Sequence, residues 1–150
     1  MSRTISFRGL IEDGGEDRIP LQTIQGLIGY KITKLQILPE SPVTGAAGEH
    51  VVQIWKTTAP VISSDVDFSN NRLLAVAVWS GNKNPAANVP SPYESVIFDS
   101  EKFNQDIYIT HVDADGNLKV NYYIELEQMK LDLNEQTVAT LKDIRNTGTQ

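Results

Sequence analysis

The chain has 150 residues, 40% of them hydrophobic and 21% charged, with a formal net charge of -6 and no cysteine. That is the size of one globular domain, residues 1–150, burying about two thirds of the surface its unfolded chain exposes, and the lack of cysteine excludes a disulfide framework, a Cys-based zinc site and a thiol nucleophile. The basic residues are scattered without a run, so the field repels phosphate backbones and nucleic acid is not an expected partner; no stretch approaches roughly 18 consecutive apolar residues and "MSRTISFRGL" has no signal-like core, so we expect no membrane and no export.

The predicted elements are mostly strands. "TISFRGLI" (4–11) is followed by "EDGGED", whose paired glycines among acids mark a turn, and a second segment begins near Arg18. In "IGYKITKLQIL" the apolar set Tyr30 and Ile32 changes phase to Leu35 and Ile37, which predicts a long strand bent by a bulge near Thr33 or Lys34. "HVVQIWK" (50–56) and "RLLAVAVWS" (72–80) follow, the second so continuously apolar that both its faces should meet protein. "ESVIFDS" is another strand. The connections "PESPVTGAAGE" (39–49) and "GNKNPAANVPSPY" (81–93) are long and polar, the kind of loop that holds function or interfaces.

"YITHVDADGNLKVNYYIELE" (108–127) poses a choice. A two-residue turn at Asp115-Gly116 would place Ile109 opposite Tyr122 and Ile107 opposite Ile124, apolar against apolar, which predicts a hairpin. The competing reading is a cation loop built on Asp113, Asp115 and Asn117, but the twelfth residue from Asp113 is Ile124 where a calcium loop needs glutamate. "SSDVDFSNN" offers Asp65 and Asp67 as a second cation candidate, yet Asp, Ser and Asn before a strand are also what a solvated turn is made of. No metal or cofactor is expected.

His50 and His111 are isolated in the sequence, with neither HExxH spacing nor a GxSxG serine nearby. His111 shares a strand face with Ile107 and Ile109, which favours a buried structural imidazole. Gly14 and Gly15 precede no phosphate-binding lysine. Trp55 and Trp79 end apolar strands, where an indole adds buried area and wants one hydrogen-bond partner; core or interface use is the better reading, and a carbohydrate platform with Tyr93 is the alternative. At the end, Asp132 can cap a helix over about 133–145 with Glu135 three residues on. Leu131, Leu133, Val138, Leu141 and Ile144 make its apolar stripe, which should close the chain's own sandwich or dock into a neighbouring subunit, with Leu141 and Ile144 as interface candidates.

The segments "GYKITKLQILPESP", "VDFSNNRLLAVAVW", "FDSEKFNQDIYIT" and "NYYIELEQMKLDLNEQTVATLKDIRNTGT" resemble a family of small virion structural proteins of marine tailed bacteriophages, over most of the chain from about Thr4 to Thr147. The resemblance is carried by whole segments and brings no catalytic residues. It implies a non-enzymatic protein of the capsid exterior, assembled in the host cytoplasm, most simply a decoration or cement protein that binds the major capsid protein as a homo-oligomer, a trimer by habit of such proteins. A tail, neck or head-fibre component and a carbohydrate-binding module are the alternatives. Strand count and length independently predict an all-β antiparallel sandwich, jelly-roll-like, with one short C-terminal helix.

Overall fold

A computed structural model describes residues 3–23, 26–42, 48–59, 61–81, 93–132 and 139–141. Eight strands follow in order: β1 (Arg3–Ile11), β2 (Glu16–Ile19), β3 (Ile28–Pro39), β4 (Glu49–Trp55), β5 (Leu73–Ser80), β6 (Tyr93–Phe98), β7 (Ile107–Asp113) and β8 (Val120–Lys130). They form two antiparallel sheets, β1-β8-β3 and β2-β7-β4-β5-β6. In a jelly roll the first strand pairs with the eighth, the eighth with the third, the second with the seventh, the seventh with the fourth and the fourth with the fifth. All five pairings occur here, and β6 departs from the scheme by staying on the edge of β5 rather than joining β3.

Period-two alternation builds the core. Ile107, Ile109 and His111 of β7 and Val120, Ile124 and Leu126 of β8 are wholly buried, as are Val52 and Ile54 of β4. Each such aliphatic side chain contributes about 1.5–3 kcal/mol when taken out of water. The expected bulge in β3 lies between Ile32 and Lys34. Thr33 is the extra residue, and its hydroxyl donates to the Glu125 carbonyl at 3.2 Å. The inserted residue keeps both Ile32 and Leu35 on the buried face.

Strand β5 is buried on both faces along its first half. Its inner residues Leu74, Ala75 and Ala77 join the main core, whereas Leu73 and Val76 join Trp55 and Ala59 in a smaller cluster on the opposite face. The chain between β4 and β5 lies over that face, and Gln53 holds it by donating through Nε2 to the Ser63 and Asp65 carbonyls, both at 3.0 Å.

The predicted β7–β8 hairpin does not form, because β7 pairs with β2 and β4 while β8 pairs with β1 and β3 in the other sheet. Both edges of each strand are taken. Ile109 and Tyr122 therefore belong to facing sheets. The connection leaves along an Asx turn in which Asp113 accepts the Asp115 N–H at 3.1 Å and the Leu118 N–H at 3.0 Å. Gly116 does not take the positive φ that a hairpin turn would ask of it; Gly14, Gly26 and Gly48 do.

Of the predicted C-terminal helix only 139–141 is described, and it is helical. Of these three residues Ala139 is buried, and Leu141, expected in the apolar stripe, is 54% exposed. The Thr140 hydroxyl accepts from Asn104 Nδ2 at 3.2 Å. Leu131 is buried, but as the residue after β8: it covers Gly29, where an added Cβ would collide with its Cδ2. Leu133, Val138 and Ile144 lie outside the described residues.

Candidate functional site

Three features carry chemistry or contact. The first is a groove of about 670 Å³ lined by parts of β1, β3 and β8 together with Trp79 of β5 and Glu94 of β6. Register places Arg8, Tyr123 and Gln36 in one row across the three-stranded sheet and Leu10, Asn121 and Leu38 in the next. Leu10 and Leu38 are exposed at 44% and 49%. One cation, one carboxylate and two amides thus border an apolar and aromatic floor, and the volume is that of a small-molecule site. Trp79 packs against the edge of the core, and its indole N–H is buried without a hydrogen-bond partner.

The tyrosine hydroxyls of the groove are committed. Tyr122 donates to Asp17 Oδ2 at 3.0 Å, and burial together with that carboxylate pushes its phenol well above the usual range. Tyr123 donates to Glu125 Oε1 at 2.8 Å, which also raises its pKa, and its ring faces the Lys34 ammonium 5.6 Å from the centroid. Gly9 is required by Tyr122, whose hydroxyl oxygen would stand 2.8 Å from a Cβ at that position.

The second feature is a buried polar cluster where the β1–β2 turn meets the start of β4 and the end of β7. His50 and His111, sixty-one residues apart, are both wholly buried, with Nδ1 of His50 2.8 Å from Nε2 of His111. His111 Nδ1 lies 2.9 Å from the Glu12 carbonyl oxygen. Since a carbonyl only accepts, His111 carries its proton on Nδ1 and, when neutral, accepts at Nε2 from the Nδ1–H of His50. Burial lowers the His111 pKa; the Glu12 carbonyl and the Asp13 and Asp113 carboxylates act the other way, His50 adds to the lowering, and the net shift is down. The Asp113 carboxylate beside the pair accepts from the backbone N–H groups of Glu49, Asp115 and Leu118 at 3.0–3.1 Å. Burial alone would raise its pKa, but these donors and His50 outweigh it and hold the group below the usual carboxylate value.

The third feature is an apolar rim at the β6 edge of the five-stranded sheet, which no further strand pairs among the described residues. Phe68, Ile97 and Phe98 are 67%, 53% and 39% exposed, and they border a shallow cleft with Leu73, Leu74 and Ala75.

The residues singled out in the sequence separate accordingly. Trp55 presents no outer surface: it is 8% exposed and its indole donates to the Thr110 hydroxyl at 3.0 Å. Trp79 lines the groove, Tyr93 starts β6 with its side chain outside the described residues, and Leu141 is exposed. Asp67 forms the turn expected of it, accepting from the Ser69 N–H and hydroxyl at 2.9 and 2.6 Å, which lower its pKa. Asp65 contributes its carbonyl to Gln53. Among the described residues no three His, Asp or Glu side chains converge as metal ligands, and Asp113 is occupied by backbone donors. Sequence reasoning placed His111 on a buried face but missed its union with His50, for which spacing carried no signal. No family model matches the chain, and no curated protein matches it.

Proposed function

We propose that this protein is a non-enzymatic structural component of a tailed-phage virion, acting as a decoration or cement protein on the outside of the head, where copies bind the major capsid protein and stabilise the shell. The observation that carries this reading is the apolar rim of Phe68, Ile97 and Phe98 at the β6 edge, which no other strand pairs among the described residues. Large apolar side chains grouped on an edge strand invite a protein partner. The jelly-roll-like topology suits the role without deciding it, since that architecture serves capsid and lectin domains alike. Each subunit would add a modest contact, and many copies would sum to resistance against internal pressure. A trimer is the expected assembly.

Quantitative mass spectrometry of purified particles tests it: a cement protein is present in hundreds of copies per head, and Phe68→Asp with Ile97→Asp should leave a folded chain that no longer binds particles. A handful of copies would move the protein to the tail, neck or a head fibre, and absence from particles would end the virion reading.

The groove favours a second reading, a carbohydrate-binding module. A sugar ring offers an apolar face to Trp79 and hydroxyls to Asn121, Gln36, Arg8 and Glu94. Binding on a glycan array that Trp79→Ala and Asn121→Ala both abolish would support it; no binding, or binding indifferent to both, would remove it.

A further inference from the structure

We infer that the His50–His111 pair is an acid-released clasp that holds the β1–β2 turn against β4 and β7. This inference is independent of the virion and glycan readings.

The clasp has three attachments. The Glu12 carbonyl takes the His111 ring N–H, the Gly14 N–H donates to the His111 carbonyl at 2.8 Å, and the His111 N–H donates to the Gly15 carbonyl at 3.2 Å. His111 thus grips the turn by ring and backbone together. His50 grips His111 through the nitrogen contact at 2.8 Å and belongs to β4, so the turn is tied through two side chains to the middle of the five-stranded sheet.

Proton counting sets the pH behaviour. With His111 Nδ1–H fixed on the Glu12 carbonyl, the space between the rings holds one hydrogen, whichever nitrogen owns it. One extra proton fits, because it can sit on His50 Nε2 while the bridge stays intact. A second extra proton does not fit: both bridging nitrogens would then carry hydrogen at hydrogen-bond distance, and two imidazoliums would share a site closed to solvent. The rings must then part, and the Glu12–Gly15 turn loses its inner support.

The charged neighbours restrain this without reversing it. Asp13 faces the pair from the turn and Asp113 from β7, and these two carboxylates attract the protons; His50 itself repels a charge on His111. Glu49 at the start of β4 gives its backbone N–H to Asp113, Asp13 accepts the Asp113 N–H at 2.8 Å, and Asp115 follows in the loop. Gly48 closes the site: its φ is 84°, and a Cβ there would stand 3.0 Å from both His50 Nε2 and Asp113 Oδ2.

Amide hydrogen exchange on the intact chain, corrected for the intrinsic rate, tests the clasp together with ring ¹⁵N spectra of the two histidines. Between about pH 7 and pH 5 the Gly14 and His111 amides should lose protection about tenfold relative to Ile54, in step with the rings becoming doubly charged. Asp13→Asn keeps an oxygen for the Asp113 N–H and removes one attracting charge, so the loss should move to lower pH. His111→Gln should abolish the pH dependence. Protection at Gly14 that holds while both rings carry charge, or a transition that Asp13→Asn leaves in place, or one that persists in a folded His111→Gln chain, would each overturn the inference.

Discussion

The two ends of the sandwich are closed by different chemistry. At one end, where β1 and β7 finish and β4 and β8 begin, the loops hang on Asp113, Asp13 and the His50–His111 pair. At the other, Tyr30 and Phe103 exchange two backbone hydrogen bonds at 2.8 and 2.9 Å and stack their rings, Asn104 reaches the Gly26 carbonyl and Thr140, and Leu131 seals Gly29. Asp106 there accepts the Leu21 and Gln22 N–H groups at 2.8 and 2.9 Å. Apolar cover, amides, the Asp106 carboxylate and the Lys56–Glu101 ion pair at 2.7 Å close that second end, and neither of the two histidines lies there, so it responds less to acid near neutrality than the first. Polar loops can be pinned by either means, but only one of them responds to acid near neutrality.

The contrast is sharpened most by Asp113→Ala. Three backbone donors lose their acceptor in a site that is nearly dry, and chemical denaturation should show a loss of about 3–5 kcal/mol. At the other end Gly29→Val forces Leu131 out of place and should cost about 2–3 kcal/mol by the same measurement, with no dependence on pH between 5 and 8. Gly48→Ala should cost about 1–2 kcal/mol, because alanine resists a φ of 84° and crowds Asp113 and His50.

Acid should act next, and in two windows. The His111 pKa is depressed in the fold, so the unfolded chain takes the proton first: stability is full above the unfolded value of about 6.5 and falls as pH drops below it. The Asp113 pKa is also depressed, so its contribution is present above the unfolded carboxylate value of about 3.9 and is lost as pH falls further. Thermal melts from pH 8 to 3 should show both declines, the first missing in His111→Gln. The smallest effect is expected for Arg18→Ala: its ion pair with Asp106 at 3.1 Å involves a side chain 61% exposed, and its removal should change stability by less than about 0.5 kcal/mol.

Alternation in β7 and β8 was legible in the sequence, and so were their buried faces, yet the partner was not. Ile107, Ile109, Tyr122 and Ile124 face a common core whether the strands are neighbours in one hairpin or opposite one another in two sheets, because the period is two in either case. Only the competition for edges, with β1, β3, β2 and β4 already claiming them, decides. The bulge beside Thr33 could be read because a change of phase within one strand is local, and the two buried faces of β5 because continuous apolarity is. The histidine pair could not, since nothing near His50 refers to His111. Likewise, helical spacing put Leu141 in an apolar stripe, but Ala139 takes the buried position beside Asn104 and Lys56.

The strand order also has a timetable. The central strand of the three-stranded sheet is β8, and β7 is what joins β2 to the rest of the other sheet; both come late in the chain. When the ribosome has delivered residue 100, only β4, β5 and β6 can pair with one another, while β1, β2 and β3 have no partner yet made. At about 5–20 residues per second the first strand waits several seconds for the last. Folding is therefore dominated by distant pairings and slow by the standards of a chain this long, and the first strands must stay soluble until their partners are made, a task for which the alternation of polar and apolar residues in β1 is suited.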